Sequence, residues 1–448
     1  MQYNLPRKLK LNAVQILALG FAIVILTGAI LLTLPISTKT GVRTSFIDAL
    51  FTATSATCVT GLITLDTGTY WSYFGKTVII SLIQIGGLGF MSFTTLFALL
   101  LGKKITLRER LIMQEALNTF NLQGLVKLVK YILVFTFSVE FLGALLLSTQ
   151  FIPQFGFLKG IYYSIFHSIS AFCNAGFDLF GNFSSLTSYA NNSVVILTIG
   201  ALIVIGGMGF SVWSEIYNCK SLKRLSLHSK LVISMTVGLV VGGTILMFLF
   251  EFNNPATMKN MDMNGKFLSS IFASITPRTA GFNSISTSDM TLAGRFLTTI
   301  LMFIGGSPGS TGGGIKTATA GVLIMTVVSV IKGREDTQMF KKRISKDLVY
   351  RALTVASLGG AIVVIVTMIL SVTEIGISFE YLLYEATSAF ATVGLTLGIT
   401  TKLSTMGKII IALTMYLGRV GPMTVVLALT TRKKNKSIKY PEDKILVG

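Results

Sequence analysis

Eight apolar stretches of about 20 residues recur from one end of this 448-residue chain to the other, and that pattern most limits what it can fold into. They cover residues 13–34, 77–101, 128–147, 194–213, 231–250, 296–304 continuing after a break into 318–331, 352–370 and 409–429. Each is long enough to cross a bilayer as a helix. Charged residues make up 12% of the chain, where a soluble domain carries about 25%. The first stretch is too long for the apolar core of a cleaved leader and no small-residue cleavage site follows it, so it reads as a retained span. The class that follows is all-α and integral to the membrane.

The net charge of +20 would suit nucleic acid, but its placement excludes that partner. With the N-terminus assigned to the cytoplasm, 26 basic residues fall on the inner side and 9 on the outer, while Arg278, Lys316 and Arg419 sit at membrane depth. Such a bias is the positive-inside signature and predicts that both termini are cytoplasmic. Three cysteines without paired spacing and two histidines exclude a zinc or disulfide framework.

Between the long spans lie four shorter, half-apolar stretches, each closing on small residues and a glycine: Gly61, Gly176, Gly281 and Gly394. These glycines are 115, 105 and 113 residues apart. A second glycine signature follows each one: Gly86-Gly87-Leu88-Gly89, Gly206-Gly207-Met208-Gly209, Gly305-Gly306-Ser307-Pro308-Gly309 and Gly418-Arg419-Val420-Gly421. Two signatures in register four times predict four repeats of span, half-span and span, with boundaries 1–111, 112–225, 226–345 and 346–431 and a cytoplasmic tail 432–448. A half-span of about 12–15 residues is too short to cross, so it should enter and leave by one face. Irregular backbone at that depth needs protein or water around it. The expected architecture is therefore eight transmembrane helices, arranged as four helix–re-entrant loop–helix repeats around one central pore.

Rings of backbone carbonyls can replace the hydration shell of a small cation, and glycine supplies the backbone angles such a turn requires. The candidate potassium-binding residues are Val59, Thr60 and Gly61; Asn174, Ala175 and Gly176; Thr279, Ala280 and Gly281; and Thr392, Val393 and Gly394. Thr392-Val393-Gly394 matches the first three letters of a potassium-channel filter. The C-terminal end of each half-helix carries partial negative charge, which favours a cation there.

Through these motifs the chain resembles the Trk/Ktr/HKT superfamily of potassium transporters over essentially its whole length. Its length, eight spans and short N-terminus look like the membrane subunit of the Ktr type, without the additional leading spans of Trk-type relatives. The resemblance implies potassium as substrate, because Gly61 is glycine where sodium-conducting plant members carry serine. It also implies a homodimer with one pore per protomer in the plasma membrane, and a cytoplasmic nucleotide-binding regulatory ring that would carry the nucleotide. Membrane lipid is the other partner. Sodium coupling stays open, since no separate sodium site stands out.

The second span of the third repeat is interrupted by Ile304-Gly-Gly-Ser-Pro-Gly-Ser-Thr-Gly-Gly-Gly-Ile-Lys-Thr317. Six glycines at about 1 kcal/mol each and a proline at about 3 cannot remain helical. This stretch should form a loop below the carbonyl ring, where the family places a gate. The candidate gate residues are Gly305, Gly306, Pro308, Gly309, Gly312, Gly313, Gly314 and Lys316, with Arg419 to hold them; buried charges at such depth are costly and normally functional. The stretch is no phosphate loop, because Ile315 separates Gly314 from Lys316. Nor is an intramembrane enzyme expected, since Glu140, Glu215 and Glu251 lie near span ends without a histidine in register. The competing function is a secondary active symporter, which would also use interrupted helices but in two inverted or parallel halves.

Overall fold

The computed structural model describes residues 13–89, 113–114, 125–219 and 221–421. These residues are overwhelmingly helical. In chain order they form α1 (Ala13–Thr33), α2 (Phe46–Thr57) and α3 (Tyr73–Leu88), then α4 (Leu125–Phe155), α5 (Phe157–Phe172), α6 (Ser193–Gly207) and α7 (Phe210–Asn218). Next come α8 (Leu227–Glu251), α9 (Met263–Ile275), α10 (Leu292–Phe303) and α11 (Thr317–Ile331). A small antiparallel hairpin of β1 (Gln338–Met339) and β2 (Lys342–Arg343) leads into α12 (Lys346–Thr373), α13 (Phe379–Ala391) and α14 (Thr405–Val420). A long helix, a short buried helix, an irregular turn and a further helix thus follow one another four times.

Among the described residues, α1, α4, α8 and α12 are long and apolar enough to cross a membrane, and α6 with α7 makes a fifth if that bent pair is one span. On α8, Val237, Val241, Ile245 and Leu249 form an exposed apolar stripe at four-residue spacing. Helical spacing puts such residues on one face. Lipid, not water, is the solvent that suits it.

The fourth-element helices begin with the same device. Ser72, Asn192, Thr291 and Ser404 each cap their helix by accepting a hydrogen bond from the backbone N–H three residues on, at 3.2, 3.1, 3.1 and 3.0 Å. Such a cap is worth about 1 kcal/mol. Glu251 and Glu374, at the ends of α8 and α12, accept in turn from the backbone N–H groups of Thr291 (2.8 Å) and Ser404 (3.0 Å).

These helices do not run on as the sequence predicts. Residues 194–213 were expected as one span, yet α6 stops at Gly207 and α7 leaves at 93°. Likewise α3 stops at Leu88 and α14 at Val420. In each case the glycine that follows, Gly89, Gly209 or Gly421, takes a φ of 80°, 94° or 92°. With ψ near 135° in all three, this is extended backbone of positive φ that glycine adopts readily and a helix cannot contain. The remainders of the expected spans 77–101 and 409–429, the tail 432–448 and the N-terminal basic cluster lie outside the described residues.

Packing across the repeats is cyclic. Helix α3 packs on α5, α6 on α9, α10 on α13, and α14 returns to α2. Two of those seams carry ion pairs, Arg295–Glu380 at 3.3 Å and Lys408–Asp48 at 2.7 Å. All four short helices are buried at the middle of this arrangement.

Candidate functional site

The four short helices run out just before Gly61, Gly176, Gly281 and Gly394, and their turns share one backbone conformation. The residue two before each glycine is left-handed: Val59, Asn174, Thr279 and Thr392 have φ of 54°, 58°, 75° and 49°. The glycines themselves have φ of 94°, 72°, 79° and 90°. Alternating handedness points successive N–H groups to one side, which leaves the carbonyls facing the other. Here the N–H groups point back into the short helices. Thr60, Ala175 and Val393 each donate to the carbonyl of Ser55, Ser170 and Ser388 at 2.8 Å, and Ala280 donates to that of Thr276 at 2.9 Å.

Those serines were not singled out from sequence, although each stands six residues before its glycine. Ser55 and Ser388 also accept from the N–H of Gly61 and Gly394 through their hydroxyls, at 3.0 and 3.1 Å. Ser170 donates to the Phe177 carbonyl at 2.7 Å. In the third repeat Pro277 ends the helix early and Thr276 takes over, donating to the Phe282 carbonyl.

The turns abut in a closed cycle. A Cβ on Gly61 would meet the Ala175 carbonyl oxygen at 2.5 Å, one on Gly176 that of Ala280 at 2.7 Å, and one on Gly281 that of Val393 at 2.5 Å. A Cβ on Gly394 would meet the Thr60 carbonyl oxygen, which closes the ring. All twelve residues expected at the turns are therefore brought together, and at each junction only glycine fits beside the neighbour's carbonyl.

On one face the ring opens into a cavity of about 380 Å³, bordered by the four glycines, by hydroxyls including Ser185, Thr287, Thr396 and Thr400, and by Asp178. Carboxylate and hydroxyl oxygens at such a mouth favour cations. Sequence reading missed these residues, and the signal that finds them is register: Thr287 and Thr400, like Thr67, stand six residues after their turn glycines.

The opposite face is covered by the loop between α10 and α11. It is pinned at both ends: Gly305 N donates to Ile315 O at 2.8 Å, and Thr317 N to Gly306 O at 3.1 Å. Its middle leans on α6 and α7, with Ser307 N donating to Gly207 O and Phe210 N to Gly309 O, both at 2.9 Å. Pro308 contributes a carbonyl beside Gly209. A side chain on Gly312 would strike the Thr279 hydroxyl, and one on Gly313 the Thr392 hydroxyl. Gly314 lies against Ala391. The loop thus touches the ring from beneath, through residues two before the turn glycines.

Two cations hold it. Lys316 Nζ donates to Gly312 O at 2.6 Å. The Arg419 guanidinium donates to Thr311 O in the loop and to Gly86 O and Gly87 O at the end of α3, the last at 3.4 Å. Among the described residues neither forms an ion pair with a carboxylate. Backbone carbonyls are the acceptors for both.

The second glycine signatures explain how these helices come so close. A methyl on Gly86, Gly206 or Gly418 would collide with the carbonyl of Thr57, Phe172 or Phe390, each four residues before its turn glycine.

A family model described as TrkH, cation transport protein, matches residues 11–440. The potassium/sodium uptake protein NtpJ of Enterococcus hirae is 45% identical over 444 residues, covering 98% of this chain and 98% of that one. The Ktr system potassium uptake protein B of Bacillus subtilis is 42% identical over 434 residues, covering 97% and 96%. The crystal structure of the potassium transporter TrkH from Vibrio parahaemolyticus has the same fold, with a TM-score of 0.74 at 18% identity over 95% of this chain and 86% of that one.

Proposed function

Because the chain is a membrane subunit of the Trk/Ktr family of cation transport proteins, we propose that it takes up potassium across the plasma membrane through a channel-like pore along the axis of the carbonyl ring. The observation that carries this reading is the closed cycle in which each turn glycine faces the carbonyl of the residue before the next one. Val59, Thr60 and Gly61, with their counterparts in the other three turns, would replace the water lost by a potassium ion entering from the hydroxyl-lined cavity. The short helices, aimed with their negative ends at the ring, add to the attraction.

In this reading the chain comprises eight spans in four repeats, with both termini in the cytoplasm. The 304–317 loop is the gate, and Lys316 and Arg419 are both its clamps and an electrostatic barrier beneath the ring. The hairpin that follows α11 carries Lys341, Lys342 and Arg343 and faces the cytoplasm. The B. subtilis relative is named as one component of a system, and a nucleotide-binding ring gripping this hairpin would reach the gate through α11. Two copies of the chain would form a dimer with one pore each.

The name of the E. hirae relative pairs sodium with potassium, so sodium belongs in the test as a competing ion. Ion flux in reconstituted vesicles, compared for potassium, rubidium and sodium, tests the proposal. Potassium and rubidium should pass and sodium should lag well behind. Equal entry of all three would sink the filter assignment.

A further inference from the structure

Nine residues before each turn glycine stand Thr52, His167, Phe272 and Glu385, at one register position of the four short helices. All four are fully buried or nearly so, but they behave in two ways. Thr52 donates to the Asp48 carbonyl of its own helix at 2.8 Å, and Phe272 has no polar atom to offer. His167 and Glu385 instead reach the segment that leaves the turn.

The Glu385 carboxylate accepts from the Thr396 hydroxyl at 2.6 Å and from the Thr400 hydroxyl. Thr396 follows Gly394 by two residues, and its hydroxyl accepts from Gly398 N at 3.0 Å. Its carbonyl accepts from the Thr287 hydroxyl of the third repeat at 2.6 Å. Both threonines border the cavity above the ring. A carboxylate behind the wall, accepting from two hydroxyls of the segment that follows, therefore fixes the exit of the fourth turn.

His167 does the same for the second turn. Its Nδ1 lies 2.7 Å from the Tyr163 carbonyl, which can only accept, so Nδ1 carries the hydrogen. Nε2 is then free to accept from Leu179 N–H at 3.2 Å, three residues after Gly176. The ring stacks on Phe180 at 4.4 Å between centroids. Because the turns contact one another in the order first, second, third, fourth, first, these two anchors stand diagonally across the ring.

We propose that Glu385 and His167 are positioning residues that set the width of the carbonyl ring by anchoring the exits of two opposed turns, and so contribute to cation discrimination without touching the ion. The proposal rests on the filter reading above, deepening it. It excludes a merely structural role, which would change yield and thermal stability but not the ratio of ions passed.

The test measures potassium-to-sodium flux ratio in vesicles, alongside folded yield and thermal stability, for Glu385→Ala, Glu385→Gln, His167→Ala, Thr396→Val and, as reference, Gly61→Ser. We expect Glu385→Ala and His167→Ala to lower the ratio about tenfold. Glu385→Gln keeps an acceptor of the same reach, so it should restore most of what Glu385→Ala loses. Thr396→Val removes one donor while leaving the carboxylate its second partner, and should show a smaller loss in the same direction; it carries the test if the alanine variants do not fold. A wild-type ratio in folded Glu385→Ala, or in Thr396→Val, overturns the proposal. So does a Glu385→Gln ratio as low as that of Glu385→Ala, which would assign the effect to charge. If Gly61→Ser also leaves the ratio unchanged, the filter reading fails first; if Gly61→Ser lowers it and the others do not, only the positioning role fails.

Discussion

At the scale of single residues, the ring is legible in sequence through its glycines and hidden in the residues beside them. Gly61, Gly176, Gly281 and Gly394 announce themselves because left-handed backbone beside a neighbour's carbonyl admits no side chain. Nothing comparable announces the backbone conformation of Val59, Thr279 and Thr392, which are β-branched and yet have positive φ. Such residues are genuine outliers, and strain of this kind persists where the surroundings over-determine it. Here the following N–H is bonded back to Ser55, Thr276 or Ser388, which fixes the turn against its own preference. The same close fit makes Gly61→Ser informative. Its Cβ would lie 2.5 Å from the Ala175 carbonyl oxygen at a φ of 94°, and left-handed backbone alone costs a non-glycine residue about 1–2 kcal/mol. The neighbour is backbone and cannot rotate away, so the ring must widen. Potassium-over-sodium discrimination should fall at least several-fold, with potassium flux falling too; unchanged relative permeabilities in the folded variant would count against the turn as the narrow point.

At the scale of elements, the sequence shows one broken helix where the structure has more. Six glycines and a proline mark the 304–317 loop plainly. The ends of α3, α6 and α14 are less plain in sequence, because the two or three glycines at each, at about 1 kcal/mol apiece and with no proline among them, weaken a helix without by themselves stopping it. What decides there is tertiary: Gly86, Gly206 and Gly418 are seated on the carbonyl ends of the short helices, and Gly89, Gly209 and Gly421, three residues on, take positive φ. The loop of the third repeat replaces that contact, since Gly305 faces the Gly313 carbonyl instead. It covers the ring from below, so shortening it should uncover the path. Deleting residues 309–314 should raise basal potassium flux several-fold while leaving the potassium-to-sodium ratio near that of the intact protein. A folded deletion variant with unaltered or lower flux would make the loop a packing irregularity.

At the scale of the whole molecule, the four glycine-ended turns are legible from glycine spacing, but the cyclic order of the helices is not, because spacing carries no information about which neighbour each helix touches. The seams that set that order rest on long-range pairs such as Lys408–Asp48, separated by 360 residues. Regulation belongs to this scale too. The hairpin is fastened to α11, with Gln338 N donating to Ser329 Oγ at 3.2 Å and the Thr326 and Thr337 hydroxyls 3.0 Å apart. Met339 and Ile344 pack with Leu231 of α8. Helix α11 begins at Thr317, directly after Lys316 and the 304–317 loop that we propose as the gate. Replacing Lys341, Lys342 and Arg343 with glutamine should weaken co-purification with a nucleotide-binding partner and blunt its activation of flux, leaving selectivity alone. Intact partner binding would instead leave this basic tip to anionic lipid, which attracts such residues at about 1 kcal/mol each.

The central claim is passage of potassium through the ring by diffusion along its own gradient, and the reversal potential of the reconstituted protein tests it most directly. With potassium on both sides of the bilayer and sodium in excess on one, the reversal potential should track the potassium gradient, moving by about 59 mV for each tenfold change. It should stay unmoved when the sodium gradient alone is altered. A reversal potential that follows sodium, or one fixed by a constant ratio of the two ions as coupled transport requires, would contradict the account.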